Sequence, residues 1–248
     1  MKEILELTKK YLEETLETNT SLKQINKQPN NNSSDTFFKK NNINLNKINT
    51  KNSVSTSESS TEAIITFDNI ETLKEHVVKC EKCVLSVTKK NDVKFGKNLN
   101  SKIMILTNYP SFSDELNKEI FNDNSRELFT KILKAINLNI NDIYITPVIK
   151  CTPKKVILND YLKYKYCFNY ILNEIKLIKP KYILGFGNVT FNAFYNNKSF
   201  KENRGKIIKL LGINAIFTYH PSDLLIDESL KKIVWDDLKQ ILNNPLFN

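Results

Sequence analysis

The sequence predicts an α/β fold of three layers, in which a central, mainly parallel four-stranded sheet carries helices on both faces. Two observations predict this fold: four short apolar runs have the length of buried strands, and segments of helical periodicity separate them. Strands that alternate with helices form parallel sheets covered on both faces. The predicted strands are Lys102–Thr107, Asp142–Ile149, Tyr182–Phe186 and Ala215–Tyr219. The predicted helices between and after them are Ser125–Ile136, Tyr161–Ile178, Val189–Tyr195 and Ser229–Leu242.

A further helix is predicted ahead of the first strand, over Ile70–Cys80. Thr72 can cap it, Glu75 follows three residues later, and the apolar residues have helical spacing. Ligands of parallel sheets bind just outside the carboxyl ends of the strands. The chemistry is therefore expected in the segments that follow the strands, which are 107–111, 150–153, 187–188 and 220–222.

The chain divides into three parts by composition. Residues 1–18 have the pattern of an amphipathic helix, with Ile4, Leu5, Leu12 and Leu16 near one face. Residues 19–62 are rich in Asn, Ser, Thr and Lys and are predicted to be a disordered linker, because such a segment buries too little apolar surface to offset its ordering entropy. Residues 65–248 are predicted to be the folded domain.

The overall composition is that of a soluble globular protein. Of the 248 residues, 40% are hydrophobic and 26% are charged, and no apolar run reaches the roughly eighteen residues of a membrane helix. The N-terminus lacks the apolar core of a secretory signal, so we expect a cytoplasmic protein. The net charge of +10 favours a polyanionic partner such as nucleic acid. The excess is nearly all lysine in a chain crowded with Asn and Ile, however, and drift toward AT-rich codons is the alternative explanation.

Four cysteines are the most informative residue set in the sequence. Cys80 and Cys83 form a C-x2-C pair, Cys151 follows the second predicted strand, and Cys167 lies fifteen intervening residues later. Thiols in a cytoplasmic protein point to a metal or cluster rather than to disulfides. By count and spacing alone they fit an iron–sulfur cluster, a zinc site or unrelated buried thiols.

Several motifs in order give the chain a specific resemblance. A C-x2-C-x-L opening (residues 80–85), a Lys-Cys-x-Pro after a strand (150–153) and a further cysteine fifteen residues on resemble the four-cysteine, thermophile-type uracil-DNA glycosylases. The segments 179–187, 204–205, 218–225 and 235–238 are similar to that family's third strand, its Arg-Gly turn, its T-x-H-P-x-x-L-L motif and its closing helix. The resemblance extends over about 180 residues and identifies the chain as a divergent member of this family.

The resemblance implies a cofactor and a partner. The four cysteines would hold a structural [4Fe–4S] cluster that keeps a loop against DNA, and the partner would be single-stranded or duplex DNA with a flipped base. We expect a monomer and no membrane association.

The resemblance also implies roles for individual residues. His220 would donate a hydrogen bond to the leaving base, although a structural histidine is the alternative. Asn108 would orient water, Phe121 would stack on the base unless it is an ordinary core aromatic, and Pro110 belongs to the same pocket. The remaining roles are DNA binding for Arg204 and Ser222, and a possible base-reading amide at Asn188, for which helix capping is the alternative.

Two positions depart from the family pattern. Asn108 replaces an acid, and an amide can hold a water molecule but cannot take its proton. Pro147 replaces the asparagine that reads the edge of uracil, and a proline within a strand also suggests a locally different backbone. In the same ungapped comparison Asp114 and Glu115 stand at the family's acidic pair, and Lys118, Asp123 and Arg126 stand where the family favours glycine.

Three functions follow from these residues. The first is a DNA-repair glycosylase that acts on uracil or another deaminated base. The second is a catalytically impaired iron–sulfur protein that binds nucleic acid on the same fold, with the N-terminal helix docking a protein partner. A different hydrolase on the same scaffold ranks last. His220 favours the first function, whereas Asn108 and Pro147 favour the second.

Overall fold

The computed structural model describes residues 65–83, 85–86, 95–153, 162–195 and 198–242. The side chains of residues 162–165 are outside this description. The helix predicted over residues 1–18 and the linker predicted over residues 19–62 lie outside the described residues and stay predictions.

The centre of the fold is a five-stranded sheet in the order β2-β1-β3-β5-β4. Strands β1 (Ile103–Thr107), β2 (Ile143–Pro147), β3 (Tyr182–Phe186) and β5 (Ile213–Thr218) run parallel to one another. The added strand β4 (Ile208–Leu210) pairs antiparallel with β5 at one edge. The predicted α/β class is confirmed, and among the described residues the sheet has five strands rather than the predicted four.

Helices cover both faces of the sheet, as the alternation of strands and helices predicts. Alternate strand residues enter opposite cores: Met104 and Leu106 of β1 lie in one, and Ile105 between them lies in the other. One core takes its helical residues mainly from α4 (Leu162–Ile178) and α5 (Asn188–Asn192). The other is completed mainly by α3 (Arg126–Ala135) and α8 (Leu230–Leu242).

The helix before the sheet is α1 (Ile70–Val78), and its N-cap lies three residues before the residue that the sequence suggests. Asn69 is the N-cap, and its side-chain oxygen accepts a hydrogen bond from the backbone N–H of Thr72 at 2.9 Å. Thr72 is therefore inside the first turn and is not the cap. The helix ends before Cys80, which leaves this cysteine in the following turn.

Three short helices lie at the predicted ligand edge or beside it: α2 (Phe112–Asn117), α6 (Phe200–Asn203) and α7 (Pro221–Ile226). Hydrophobic periodicity did not predict these three helices, which have four to six residues and span less than two turns. Capping hydrogen bonds hold them instead, since Ser111 and His220 each form a capping box with an aspartate three residues on. In the described part of the chain no helix is both long and apolar enough to cross a bilayer.

Candidate functional site

His220 lies directly after β5 and begins α7. Its extended backbone, the proline at the first helical position and Asp223 at the third build a tight strand-to-helix turn. The backbone N–H of His220 donates to Asp223 Oδ2 at 3.0 Å. The imidazole is thereby fixed at the carboxyl edge of the sheet, where the sequence placed it.

The hydrogen bonds of the imidazole define its tautomer. Nδ1 accepts from the backbone N–H of Ser222 at 3.2 Å and from its hydroxyl at 2.7 Å, so this nitrogen carries no proton. Nε2 therefore carries the hydrogen and donates to Thr107 Oγ1 at 2.9 Å. Burial lowers the pKa of His220 to about 4, while the charge of Asp123 opposes that shift. At neutral pH the ring is a neutral hydrogen-bond donor.

Thr107 and Ser222 hold the imidazole from its two nitrogens. Sequence comparison assigned Ser222 to DNA binding and gave Thr107 no role. The signal for Thr107 was its place at the end of β1, one residue before Asn108.

Phe121 packs against His220 from the segment between α2 and α3. The two rings are 5.4 Å apart and within 16° of parallel, and the other neighbour of Phe121 is Phe129, whose ring is stacked at 3.8 Å. Phe121 is only 3% exposed and has a φ of 57°, which is strained for a bulky side chain. The Phe121 ring therefore packs against the apolar core on one side and against the His220 ring on the other.

Asn108 follows β1 and its amide is oriented by one neighbour. Its Oδ1 accepts from the backbone N–H of Thr190 at 3.2 Å and from the Thr190 hydroxyl at 3.0 Å. The side chain also lies against Gly187, where a Cβ would meet Oδ1 at 2.3 Å and Nδ2 at 2.6 Å. Because the Asn108 oxygen accepts from Thr190, Nδ2 is the part of the amide with which Asn108 can donate to another molecule. Sequence reasoning did not single out Thr190.

The acidic pair after β1 is buried and shapes the loop. Asp114 caps α2 through Ser111 and also accepts from the backbone N–H of Asn122 at 2.6 Å, next to Phe121. Burial raises the pKa of Asp114. Pro110 is buried at the start of this loop, and Glu115 is 3% exposed.

Pro147 is accommodated without a break in the sheet. It pairs with Thr107 as the last residue of β2, which is an edge strand, and the backbone N–H of Val148 still donates to Thr107 O at 2.8 Å. Two residues earlier, the carbonyl of Ile145 faces the outer side, where it accepts from Gly96 N–H. Since Pro147 faces the same side, the N–H it lacks belongs to the outer edge. The strand pairing therefore continues regularly up to Pro147.

Asn188 is exposed, and Arg204 binds a side chain other than His220. Asn188 is the exposed first residue of α5, and Gly187 is the N-cap, so the capping alternative for Asn188 is wrong. Arg204 donates from Nη1 to Asp237 Oδ1 at 2.5 Å and lies over the Tyr219 ring at 5.5 Å. This pairing fixes the Arg-Gly turn against α8.

The four cysteines gather beside α1 and α4. Cys151 and Cys167 are each 5% exposed, and Cys80 and Cys83 are half-buried. Burial raises the pKa of the Cys167 thiol to about 12, and the neighbouring Cys151 and Cys83 act in the same direction. Within the described ranges no three potential ligands are close enough to hold one metal ion. Cys83, Cys151 and Cys167 pack in one core and Cys80 against the other, and four cysteine thiolates are the type of donor set that a [4Fe–4S] cluster takes.

A buried ion pair lies next to the cysteines. Lys150 Nζ is 2.5 Å from Glu174 Oε1, donates to Thr146 Oγ1 at 2.7 Å and sits 4.3 Å from the centre of the Phe95 ring. Both charged side chains are almost completely shielded from water, with 2% and 0% exposure. Burial lowers the pKa of Lys150, and the charge of Glu174 opposes this. The pair joins the segment after β2 to α4, and Lys150 directly precedes Cys151 in the chain.

Comparisons with known proteins agree with this architecture. The sequence model of the uracil DNA glycosylase superfamily matches residues 93–239. The chain is similar to the type-4 uracil-DNA glycosylase of Thermotoga maritima, with 28% identity over 69% of this chain and 92% of that protein. It is also similar to the proteins of the same name from Sulfurisphaera tokodaii (27%, 71% and 84%) and Archaeoglobus fulgidus (26%, 71% and 92%).

Proposed function

The chain belongs to the uracil DNA glycosylase superfamily, and from this premise we propose that it is a DNA-repair glycosylase. Its substrate would be uracil or a related deaminated base in DNA, flipped out of the stack, and its four cysteines would hold a structural [4Fe–4S] cluster. The observation that carries the proposal is the neutral, buried His220, whose Nε2–H is available as a donor at the carboxyl edge of the sheet.

The reaction assigns this donor a defined task. Hydrolysis breaks the bond between C1′ of the sugar and the base nitrogen, and the bonding electrons leave with the base. A water oxygen then bonds to C1′, and its proton balances the charge of the released base. A preorganised donor at the base oxygen stabilises the developing negative charge, and the low-dielectric site increases its effect. His220 Nε2–H would exchange Thr107 Oγ1 for this oxygen.

The other residues would serve the sugar and the base. Asn108 would orient the water molecule through Nδ2, since its oxygen is held by Thr190. Phe121 would stack on the base and Pro110 would shape the pocket beside it. We keep Asn188 as a candidate for reading the base, and Arg204 and Ser222 as candidates for DNA contact. The protein would act as a cytoplasmic monomer.

The cluster would supply no chemistry to the substrate. Cys80 and Cys83 in the turn after α1, Cys151 after β2 and Cys167 in α4 would hold it, and these three segments would thereby be joined. Protein purified without oxygen should be brown and contain iron and sulfide. Stoichiometric zinc without iron would contradict this cofactor.

A specific observation favours a second function. Asn108 has no carboxylate to act as a base and Pro147 has no side-chain amide to read the base, which fits an iron–sulfur protein that binds nucleic acid without catalysis. Single-turnover release of base from single-stranded and duplex oligonucleotides with uracil or another deaminated base separates the two. Release of base supports the glycosylase, and DNA binding without release from any such substrate supports the binding protein.

A further inference from the structure

Thr107 contributes a hydroxyl to the same small space as the His220 imidazole. Its Oγ1 lies 2.9 Å from His220 Nε2, and the two residues are only 2% and 8% exposed. The backbone N–H of Ser222 points at Nδ1 and can only donate, so the ring proton is on Nε2. Thr107 Oγ1 is therefore the acceptor of this hydrogen bond, and the hydroxyl still has a hydrogen of its own to donate.

The described residues make no use of that hydrogen. Within the described ranges, the hydrogen bond of Thr107 Oγ1 is the one that it accepts from His220. A hydroxyl can accept and donate at the same time, and a buried donor that lacks an acceptor costs free energy. The hydrogen is thus free for an acceptor that enters the site, such as an oxygen of a bound base.

The position of the hydroxyl is fixed by the sheet. Thr107 is the last residue of β1 and pairs with Pro147, and its carbonyl accepts from the backbone N–H of Val148 at 2.8 Å. The carbonyl of Asn108 accepts from the backbone N–H of Ile149 at 3.0 Å, so the backbone after Thr107 is held as well. A β-branched side chain has few χ1 rotamers, which restricts Oγ1 further. The hydroxyl is therefore a preorganised donor whose hydrogen alone rotates.

The surroundings of the two donors are apolar. Thr107 follows Ile105 by two residues on β1 and shares its face of the sheet, and Phe121 lies in the same apolar core as Ile105. The Phe121 ring also packs on the His220 ring at 5.4 Å. A hydrogen bond to a developing charge is stronger in such a site than in water. Both donors therefore lie where they stabilise charge most effectively.

We propose that Thr107 is a catalytic residue, whose hydroxyl donates a second hydrogen bond to the base oxygen that accepts from His220. The inference rests on the proposed function and adds a second donor to its site. Because Nε2 and Oγ1 are 2.9 Å apart, one oxygen can lie within hydrogen-bonding distance of both. When Nε2–H turns to the base oxygen, Thr107 Oγ1 no longer accepts, and its own hydrogen is donated to the same oxygen. The hydroxyl keeps its proton, and the electrons of the broken C1′–N bond leave with the base.

The test measures single-turnover release of base from uracil DNA by the full chain and its variants. Thr107→Val replaces the hydroxyl by a methyl group and should slow release about 100-fold, as removal of one donor to a developing negative charge does. Thr107→Ser keeps the hydroxyl and should stay close to the parent. Thr130→Val is the matched control and should equal the parent, because the Thr130 hydroxyl donates at 2.9 Å to the Arg126 carbonyl within α3.

A change of leaving base separates donation from a structural role. Fluorouracil leaves as a more stable anion than uracil, because fluorine withdraws electrons, so its release depends less on donors to the oxygen. The loss in Thr107→Val should therefore be smaller on fluorouracil DNA than on uracil DNA. A displaced backbone or a misplaced His220 would slow release of both bases by the same factor. Thr107→Ala makes the same comparison if Thr107→Val does not fold.

Three results would overturn the inference while the proposed function stands. With an active parent, Thr107→Val or Thr107→Ala at the parental rate would show that the hydroxyl does not donate to the base. A Thr107→Ser variant as slow as Thr107→Val, or an equal loss on both bases, would make Thr107 a structural residue. A parent that releases no base from any deaminated substrate overturns the proposed function and this inference together, and the parent alone reveals that failure.

Discussion

The imidazole Nε2 of His220 and the hydroxyl of Thr107 are 2.9 Å apart and connect the ends of β5 and β1, which are separated in the sheet by β3. The bond closes the carboxyl edge of the sheet over the candidate site. It also satisfies the one N–H of a neutral buried ring. Two residues 113 positions apart in the chain thus define the donor.

Replacement of His220 should impair base release far more than replacement of Asn108. A single donor to a developing negative charge contributes about 100- to 1,000-fold in rate, whereas in the proposed mechanism Asn108 would only orient water that attacks an already cationic sugar. Single-turnover release of uracil by His220→Ala and Asn108→Ala measures both effects. DNA affinity and melting temperature are the controls, and equal losses in the two variants would contradict the division of roles.

The buried imidazole should make the fold sensitive to mild acid. The pKa of His220 is about 4 in the folded chain and 6.5 when unperturbed. Between these values the unfolded chain binds the extra proton, so stability falls as the pH falls. The contribution lost between pH 7 and pH 5 is about 2 kcal/mol. Urea unfolding of the parent and of His220→Gln at both pH values should show a smaller loss in the variant.

Asp123 should hold the pKa of His220 above the value that burial alone would give. Its charge favours the protonated ring, so Asp123→Asn should lower the His220 pKa further. The chain has two histidines, and NMR titration of their ring resonances can follow each one. Asp227→Asn, at the exposed end of α7, is the control. An unchanged or higher pKa in Asp123→Asn would show that this carboxylate does not act on the ring.

The buried pair of Lys150 and Glu174 should behave as one unit. Glu174→Leu leaves a buried ammonium without its counterion and should cost about 3–5 kcal/mol, whereas Lys150→Met combined with Glu174→Leu should recover most of that loss. Urea denaturation of the two variants measures the difference. Glu228→Ala, which breaks the exposed pair with Lys231, should change stability little.

Restoring an amide at position 147 should increase the preference for uracil. Pro147 lies on the edge strand with its nitrogen toward the outer side, so Pro147→Asn adds an N–H where the ladder needs none. Sites that read a base by hydrogen bonds reject the wrong base most strongly. The measurement is the ratio of release rates for uracil and another deaminated base, and a fall in that ratio would contradict the prediction.

Periodicity predicted the long elements of the fold well. Strand β3 has the predicted bounds, helices α4 and α8 begin one residue later than predicted, and α3 is one residue shorter than predicted at each end. These elements are long enough that their buried apolar residues form a recognisable pattern in the sequence. Strand β4 was not predicted, because its three residues form a strand only through pairing with β5. The capping boxes of α2 and α7 likewise depend on side chains rather than on periodicity.

The sequence by itself determined the layers, the edge of the sheet that carries His220 and Asn108, and the spacing of the four cysteines. These features follow from local periodicity and from the rule that parallel strands present their carboxyl ends together. Only the tertiary structure decided that Thr107 and Ser222 fix the tautomer of His220, that Asp237 holds Arg204, and that Thr190 orients Asn108. Most of these contacts join residues far apart in the chain, and their strength depends on burial, which no local pattern of residues specifies.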